Sequence, residues 1–136
     1  MDDLSTALKI SAAGMRAQSG RVRVVAENIA NAESTAASPG GEPYRRQVPV
    51  FSSAVDKTTG ARLVALDRVA LDPSAFSLSF DPSHPAANAE GYVLTPNVNP
   101  LVEMMDLREA QRSYEANLGA LDQARAMAAA TLRILE

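Results

Sequence analysis

The sequence predicts a mainly α fold with a small β element. Long N- and C-terminal helices pack as a coiled-coil-like pair, with a short β-hairpin-containing middle insertion. Three observations predict this. Apolar residues recur at alternating three- and four-residue spacings over both ends of the chain. Proline and glycine crowd between those ends. Apolar residues reach 46% of 136 residues while aromatics are only 4%, so Ala, Leu and Val carry a thin core that suits rods packed side by side.

The first region, residues 1–31, reads as a heptad. Met1, Leu8, Met15, Val22 and Ile29 share one position, and Leu4, Ser11, Gln18 and Val25 share the other. This 3.5-residue period belongs to a helix lying along a partner helix. Ser11 and Gln18 are polar seam residues, which weaken a pair and select register or partner. Asp2 and Asp3 suit the positive N-terminal end of a helix. Gly14 and Gly20 each cost about 1 kcal/mol relative to Ala, so the helix depends on packing. One partner helix barely offsets the backbone entropy of ordering it. The terminal helices are therefore expected to be loosely ordered in the free monomer and rigid after assembly.

The middle region, residues 32–98, opens with a loop in which Ser38, Pro39, Gly40, Gly41 and Pro43 cluster. Extended segments are expected at 44–51, at 62–71 and at 91–94. Phe76, Leu78 and Phe80 alternate with Ser77 and Ser79, which predicts a strand with its apolar side buried. Asp81-Pro82 and His84-Pro85 break the chain before the last segment.

The third region, residues 99–136, starts with Asn99-Pro100, a cap followed by Pro at the first helical position. Met104, Leu107, Gln111, Tyr114, Leu118, Leu121, Arg125, Ala128, Leu132 and Leu135 hold the three-four spacing. A second stripe follows Ala110, Asn117, Ala120, Ala124, Met127, Thr131 and Ile134. Two apolar stripes on one helix imply more than one neighbour. An antiparallel pair within one chain covers one stripe and leaves the other for another molecule.

Composition excludes several functions. Net charge is −3 with no basic stripe, which argues against nucleic-acid binding. There is no Cys, hence no disulfide, thiolate chemistry or Cys-based zinc site. No stretch approaches the roughly 20 apolar residues of a membrane span. The first fifteen residues have no continuous apolar run and do not read as a secretory signal peptide.

No catalytic, cofactor-binding or metal-ligating set emerges. The single histidine, His84, lacks companion ligands and reads as a loop residue. Glu103, Asp106 and Glu109 share a helix face but fit the dipole at the helix start better than acid–base work. Arg45-Arg46 is too short for a phosphate-binding patch and reads as a solvated or interfacial pair. Gly40-Gly41 lacks the following Lys of a phosphate loop and reads as a turn.

The first helix ends in Asn28-Ile29-Ala30-Asn31-Ala32, where Asn28 and Asn31 can bond backbone groups at the helix end. This run, after a heptad helix, resembles the flagellar rod, hook and hook-associated proteins. Pro43-Tyr44-Arg45-Arg46, Asp81-Pro82-Ser83-His84-Pro85, Ala89-Glu90-Gly91-Tyr92-Val93 and Pro96-Asn97-Val98-Asn99-Pro100 follow in order. Together with Tyr114-Glu115-Ala116-Asn117 they resemble the FlgC-type proximal rod subunits. The stretch 52–78 carries little of the likeness.

That resemblance implies a structural, non-enzymatic subunit of the bacterial flagellar basal-body rod, part of the drive shaft that carries torque from motor to hook. It implies assembly with itself and other rod proteins, contact with the rod-base adaptor at the inner-membrane motor ring, and transit through the flagellar type III export apparatus. It places the chain in the periplasmic rod, exported without a cleaved signal peptide. On this view the assembly seams are Leu4, Leu8, Met15, Val22, Val25 and Ile29 of the first helix. Those of the last are Leu107, Tyr114, Leu118, Leu121, Leu132 and Leu135. Asn28, Ile29, Asn31, Tyr92, Asn97, Asn99 and Pro100 carry the family signature and shape the junctions between helices and middle element.

Overall fold

The computed structural model describes residues 2–136; Met1, which the heptad places at the head of its seam, and the side chain of Asp2 lie outside the described residues. Two helices enclose four strands in chain order. They are α1 (Asp2–Ala30), β1 (Gln47–Val55), β2 (Arg62–Leu71), β3 (Ser77–Phe80), β4 (Tyr92–Thr95) and α2 (Pro100–Leu135). The strands form two separate two-stranded sheets, β1-β2 and β3-β4. The fold is mainly α with a small β element, as the periodicities predict.

Local chemistry sets the helix ends. Asn99 caps α2: its Oδ1 accepts from the Leu101 N–H at 3.1 Å, and its carbonyl accepts from the Glu103 N–H at 3.0 Å. Pro100 sits at the first helical position, where a missing N–H costs nothing. At the end of α1, Asn31 donates through Nδ2 to the Glu27 carbonyl at 2.9 Å, while its own N–H also bonds that carbonyl.

The chain divides into two compact units. The first comprises the chain up to Val22, Pro49–Arg68 and Arg108–Glu136; the second comprises Arg23–Val48 and Val69–Leu107.

In the first unit the two helix segments run antiparallel. Gly14 lies against Asn117, while Leu4 and Ala7 share a groove with Ala124, Ala128 and Leu132. The covered residues are small: Ser11, Ala13, Gly14 and Ala17 on α1, Ala110 and Ala124 on α2. Gly20 meets Leu66 of β2, whose Cδ2 lies 2.8 Å from where a Cβ would be. The two glycines that burden α1 in isolation thus admit a helix at one point and a strand at the other.

The second unit is built around Val24, Val25 and Asn28 of α1, Val93 of β4 and Glu103 of α2. Strands β3 and β4 pair antiparallel, with Leu78 opposite Leu94 and Phe80 opposite Tyr92. The expected burial of the apolar side of β3 is not found: every residue of β3 is exposed. The covered side chain of this ribbon is Val93, opposite Ser79. The pleat then turns Leu78, Phe80, Tyr92 and Leu94 outward together. Phe80 and Tyr92 meet edge to face at 5.3 Å. Gly91, at φ +89°, makes the turn into β4 in a conformation that L side chains rarely adopt.

Candidate assembly surface

The first unit presents an apolar exterior. On α2 the fully covered residues are the small Ala110 and Ala124, while large side chains of both stripes stay exposed. Ala124 is 5% exposed, whereas Leu118 is 39%, Leu132 58% and Leu135 75% exposed. Met104 of the second unit, on the same stripe, is also exposed. Leu107 and Leu121 are half-buried and Tyr114 is just beyond it. On α1, Leu4, Leu8, Met15, Val22 and Ile29 are all half-buried, at the margin of the covered face rather than at its centre. An open groove of about 590 Å³ runs between Leu4 and Ala7 on one side and Ala120, Met127 and Leu135 on the other.

Val25 differs from the other proposed seam residues. It is fully covered inside the second unit, so it belongs to the chain's own core and presents nothing to a neighbour. The heptad assigns it correctly to an apolar seam, but periodicity carries no information on whether the partner lies in the same chain.

The other face of the problem is the polar hub of the second unit. Asn28, 1% exposed, uses its carboxamide as a strand would use its backbone. Its Nδ2 donates to the Gln47 carbonyl at 2.8 Å, and its Oδ1 accepts from the Gln47 N–H at 2.9 Å. The Tyr44 hydroxyl also donates to that Oδ1 at 2.8 Å, and Nδ2 reaches Glu103 Oε2 at 3.3 Å. Glu103 is equally covered and forms an ion pair with Arg46. Arg46 reaches Asp72 at 3.2 Å as well. Asn97 accepts from the Arg46 N–H at 2.7 Å and donates to the Asp72 carbonyl at 3.1 Å. Every buried side-chain polar atom among the described residues has a partner.

The titration behaviour follows from this packing. Burial works to lower the Arg46 pKa, but the hydrogen bonds and charges of Glu103 and Asp72 outweigh it and raise the value. Hydrogen bonds from Ser74, and then Arg46, hold the Asp72 carboxyl below the usual range. Burial, reinforced by the charges of Glu27 and Glu103, raises the Tyr44 hydroxyl.

One expectation is extended and one corrected here. Glu103 lies in the first turn of α2, where the helix dipole favours an anion as expected, and it is also the buried anion of the hub. Arg45-Arg46 is no solvated pair: Arg46 bridges two carboxylates, and Arg45 stacks 4.1 Å over the Phe76 ring while donating to the Asp72 and Ser74 carbonyls. Charge pairs separated by 57 positions, as Arg46 and Glu103 are, leave no local trace in the sequence. Of the signature residues, Asn28 and Asn97 meet in the hub through Gln47 and Arg46, whereas Asn31 and Asn99 cap helices and Tyr92 lies on the outer face of β4.

His84 has a fixed loop role. Its Nδ1 accepts from the Ala86 N–H at 2.9 Å, which leaves the proton on Nε2 to be donated to Thr35 Oγ1 at 3.1 Å. Among the described residues, no group of three or more His, Cys, Asp or Glu side chains could hold a metal ion. No helix of the described residues is long and apolar enough to cross a membrane.

Paired terminal helices, an outward apolar stripe and a structural polar hub define a protein made to pack against others. Comparison with known proteins gives that class a name. Residues 89–134 match the family model described as flagellar basal body rod FlgEFG protein C-terminal. The chain is 46% identical over its whole length to the flagellar basal-body rod protein FlgC of Agrobacterium fabrum, covering 98% of it. It is 42% identical to FlgC of Aquifex aeolicus over 88% of each chain, and 38% identical to FlgC of Salmonella typhimurium over 92% of each. The chain belongs to the FlgC family of flagellar basal-body rod proteins.

Proposed function

We propose that the chain, a structural rod subunit of the flagellar basal body, polymerises through the outward faces of its terminal helices into the shaft that transmits torque from motor to hook. The observation that carries this reading is the large-residue stripe of α2, which the chain itself leaves uncovered at Leu118, Leu132 and Leu135. Each such side chain, once covered by a neighbour, contributes about 1–2 kcal/mol. Leu4, Leu8, Met15, Val22 and Ile29 of α1 and Leu107, Tyr114 and Leu121 of α2 flank that surface and complete the assembly seams.

The partners are further copies and other rod proteins, with the rod-base adaptor at the motor ring. The chain passes the flagellar type III export apparatus and resides in the periplasmic rod. Its terminal helices are loosely ordered before assembly and rigid in the rod; circular dichroism of the dilute chain reads this directly, and full helicity would overturn it.

The decisive experiment is Leu118→Asp in a motile strain. The variant chain accumulates in cells and keeps its fold in isolation, but basal bodies purified from the strain lack a complete rod and swimming is lost. Normal swimming overturns the proposal.

A further inference from the structure

The second unit carries an exposed apolar face that the helix seams do not use. Leu78, Phe80, Tyr92 and Leu94 stand on one side of the β3-β4 ribbon, with exposures from 38% to 65%. The edge-to-face contact of Phe80 with Tyr92 stiffens this side. A hollow of about 250 Å³ opens beside it, lined by Leu78, Tyr92 and Leu94 with Ala36 and Ala86. It offers a seat to an apolar side chain.

Charge points to what covers the face. From Val69 to Leu107 the chain has five Asp or Glu and no Lys or Arg. Two of those acids, Asp81 and Glu90, are exposed beside the ribbon: Asp81 follows Phe80, and Glu90 stands just before the Gly91 turn into β4. The second unit as a whole has eight Asp and Glu against three Lys and Arg, a net −5. The first has eight against ten, a net +2. Two copies of the ribbon face set against each other would oppose like charges, which disfavours that contact. The complementary surface is on the first unit. Its β1-β2 hairpin exposes Phe51, Val55 and Val64, and Lys57 and Arg62 are exposed around its tip. Neither cation is ion-paired among the described residues. An apolar surface edged by cations thus answers an apolar surface edged by carboxylates.

We infer that the β3-β4 face of one copy seats the β1-β2 hairpin tip of the next copy, an inference that rests on the rod reading given above. The contact joins two different surfaces and so repeats in one direction, as an open helical assembly requires; a like-with-like contact closes at a dimer. Four ribbon side chains fall short of the roughly 1,200 Å² that a stable interface buries. The contact therefore adds to the helix seams, which hold the two surfaces at high effective concentration.

The chain has no cysteine, so introduced thiols mark each surface. Leu78→Cys lies on the ribbon and Val55→Cys beside the hairpin tip, both at well-exposed positions. Basal bodies are isolated from strains making the full chain with one or both changes and are treated with a short bis-maleimide. The doubly changed chain gives a ladder of dimers, trimers and higher adducts of itself, and neither singly changed chain gives any. Leu94→Cys replaces Leu78→Cys if that change stops assembly. A second arm reverses charge in the doubly changed chain. Glu90→Lys or Arg62→Glu alone lowers the adduct yield about fivefold, and the two together restore it. Basal bodies that contain the chain but give no ladder overturn the inference and leave the rod reading standing. Basal bodies of the unaltered strain that lack the chain overturn both. A dimer from a ribbon cysteine alone, or an adduct with a different rod protein in place of the ladder, also overturns the inference.

Discussion

The two units solve the same problem with opposite chemistry. Each brings a segment of α1 against a segment of α2. The first does so with small side chains and one glycine, Gly14, and leaves its large residues partly or largely exposed. The second does so with the covered Asn28 and Glu103, bonded to each other and to a half-buried Arg46. An alanine seam is tolerant, because one small side chain resembles the next and dispersion is spread over many contacts. A buried ion pair is intolerant, because removing one member strands the other. The difference teaches where the chain keeps its own shape and where it is left to be completed from outside.

The sharpest way to break this contrast is a charge in each unit. Val25→Asp places an unpaired carboxylate in the second unit and costs about 4 kcal/mol or more, read as a collapse of the urea midpoint. Leu118→Asp, on the exposed stripe, changes the isolated chain's unfolding free energy by under about 0.5 kcal/mol, so its midpoint barely moves. Equal losses would erase the distinction between the units.

Glu103→Ala comes next. It leaves Arg46 and the Asn28 amide without their shared acceptor and costs about 3 kcal/mol, toward the lower end for buried pairs because Arg46 keeps some contact with water. Glu103→Gln retains an acceptor and costs less. A smaller midpoint shift for Ala than for Gln would contradict the role given to the ion pair.

Acid gives a milder test. The Asp72 carboxyl is depressed in the folded chain, so its contribution is present above the unfolded value near 4 and is lost as pH falls through the folded value. The urea midpoint should therefore fall on acidification below about pH 4, and Asp72→Asn should flatten that fall. The smallest effect belongs to the hairpin tip of the first unit. There Asp56 Oδ1 accepts from the Thr58 and Thr59 N–H groups, both at 2.9 Å, and Lys9 of α1 reaches Thr58 Oγ1 at 2.7 Å. Asp56→Ala should speed hydrogen exchange at those two amides while leaving the midpoint nearly unchanged.

The helices were legible because their signals are local. A three-four period and an Asn-Pro start need no knowledge of the rest of the fold, and α2 begins at Pro100. The second strand was likewise legible at Arg62–Leu71 from its composition between breakers. Orientation was not. The alternation of Leu78 and Phe80 with serines marks a strand but is silent on which side is covered, and here Val93 of the partner strand takes that place. The heptad likewise marks α1 as a packing helix, yet the covered face centres on Gly14 and Ala17 instead of Leu8 and Met15. Residues that read as packing defects in one dimension are the points of closest approach in three. Asn28, Arg46 and Glu103 each stand out locally, but the hub that they form with Asp72 was invisible because its bonded members lie 26 to 75 positions apart and nothing local pairs them.

The carboxamide of Asn28 has a consequence for the segment it spans. It fastens the end of α1 directly to Gln47, and the Tyr44 N–H closes on the Ser34 carbonyl at 2.9 Å. Everything between Thr35 and Pro43 is thereby a bight of rope whose neck is already tied. Its exposed tip at Ser38, Pro39 and Gly40 carries no responsibility for the path of the chain on either side. Extra residues, or a small inserted tag, can be spliced there with the knot left undisturbed.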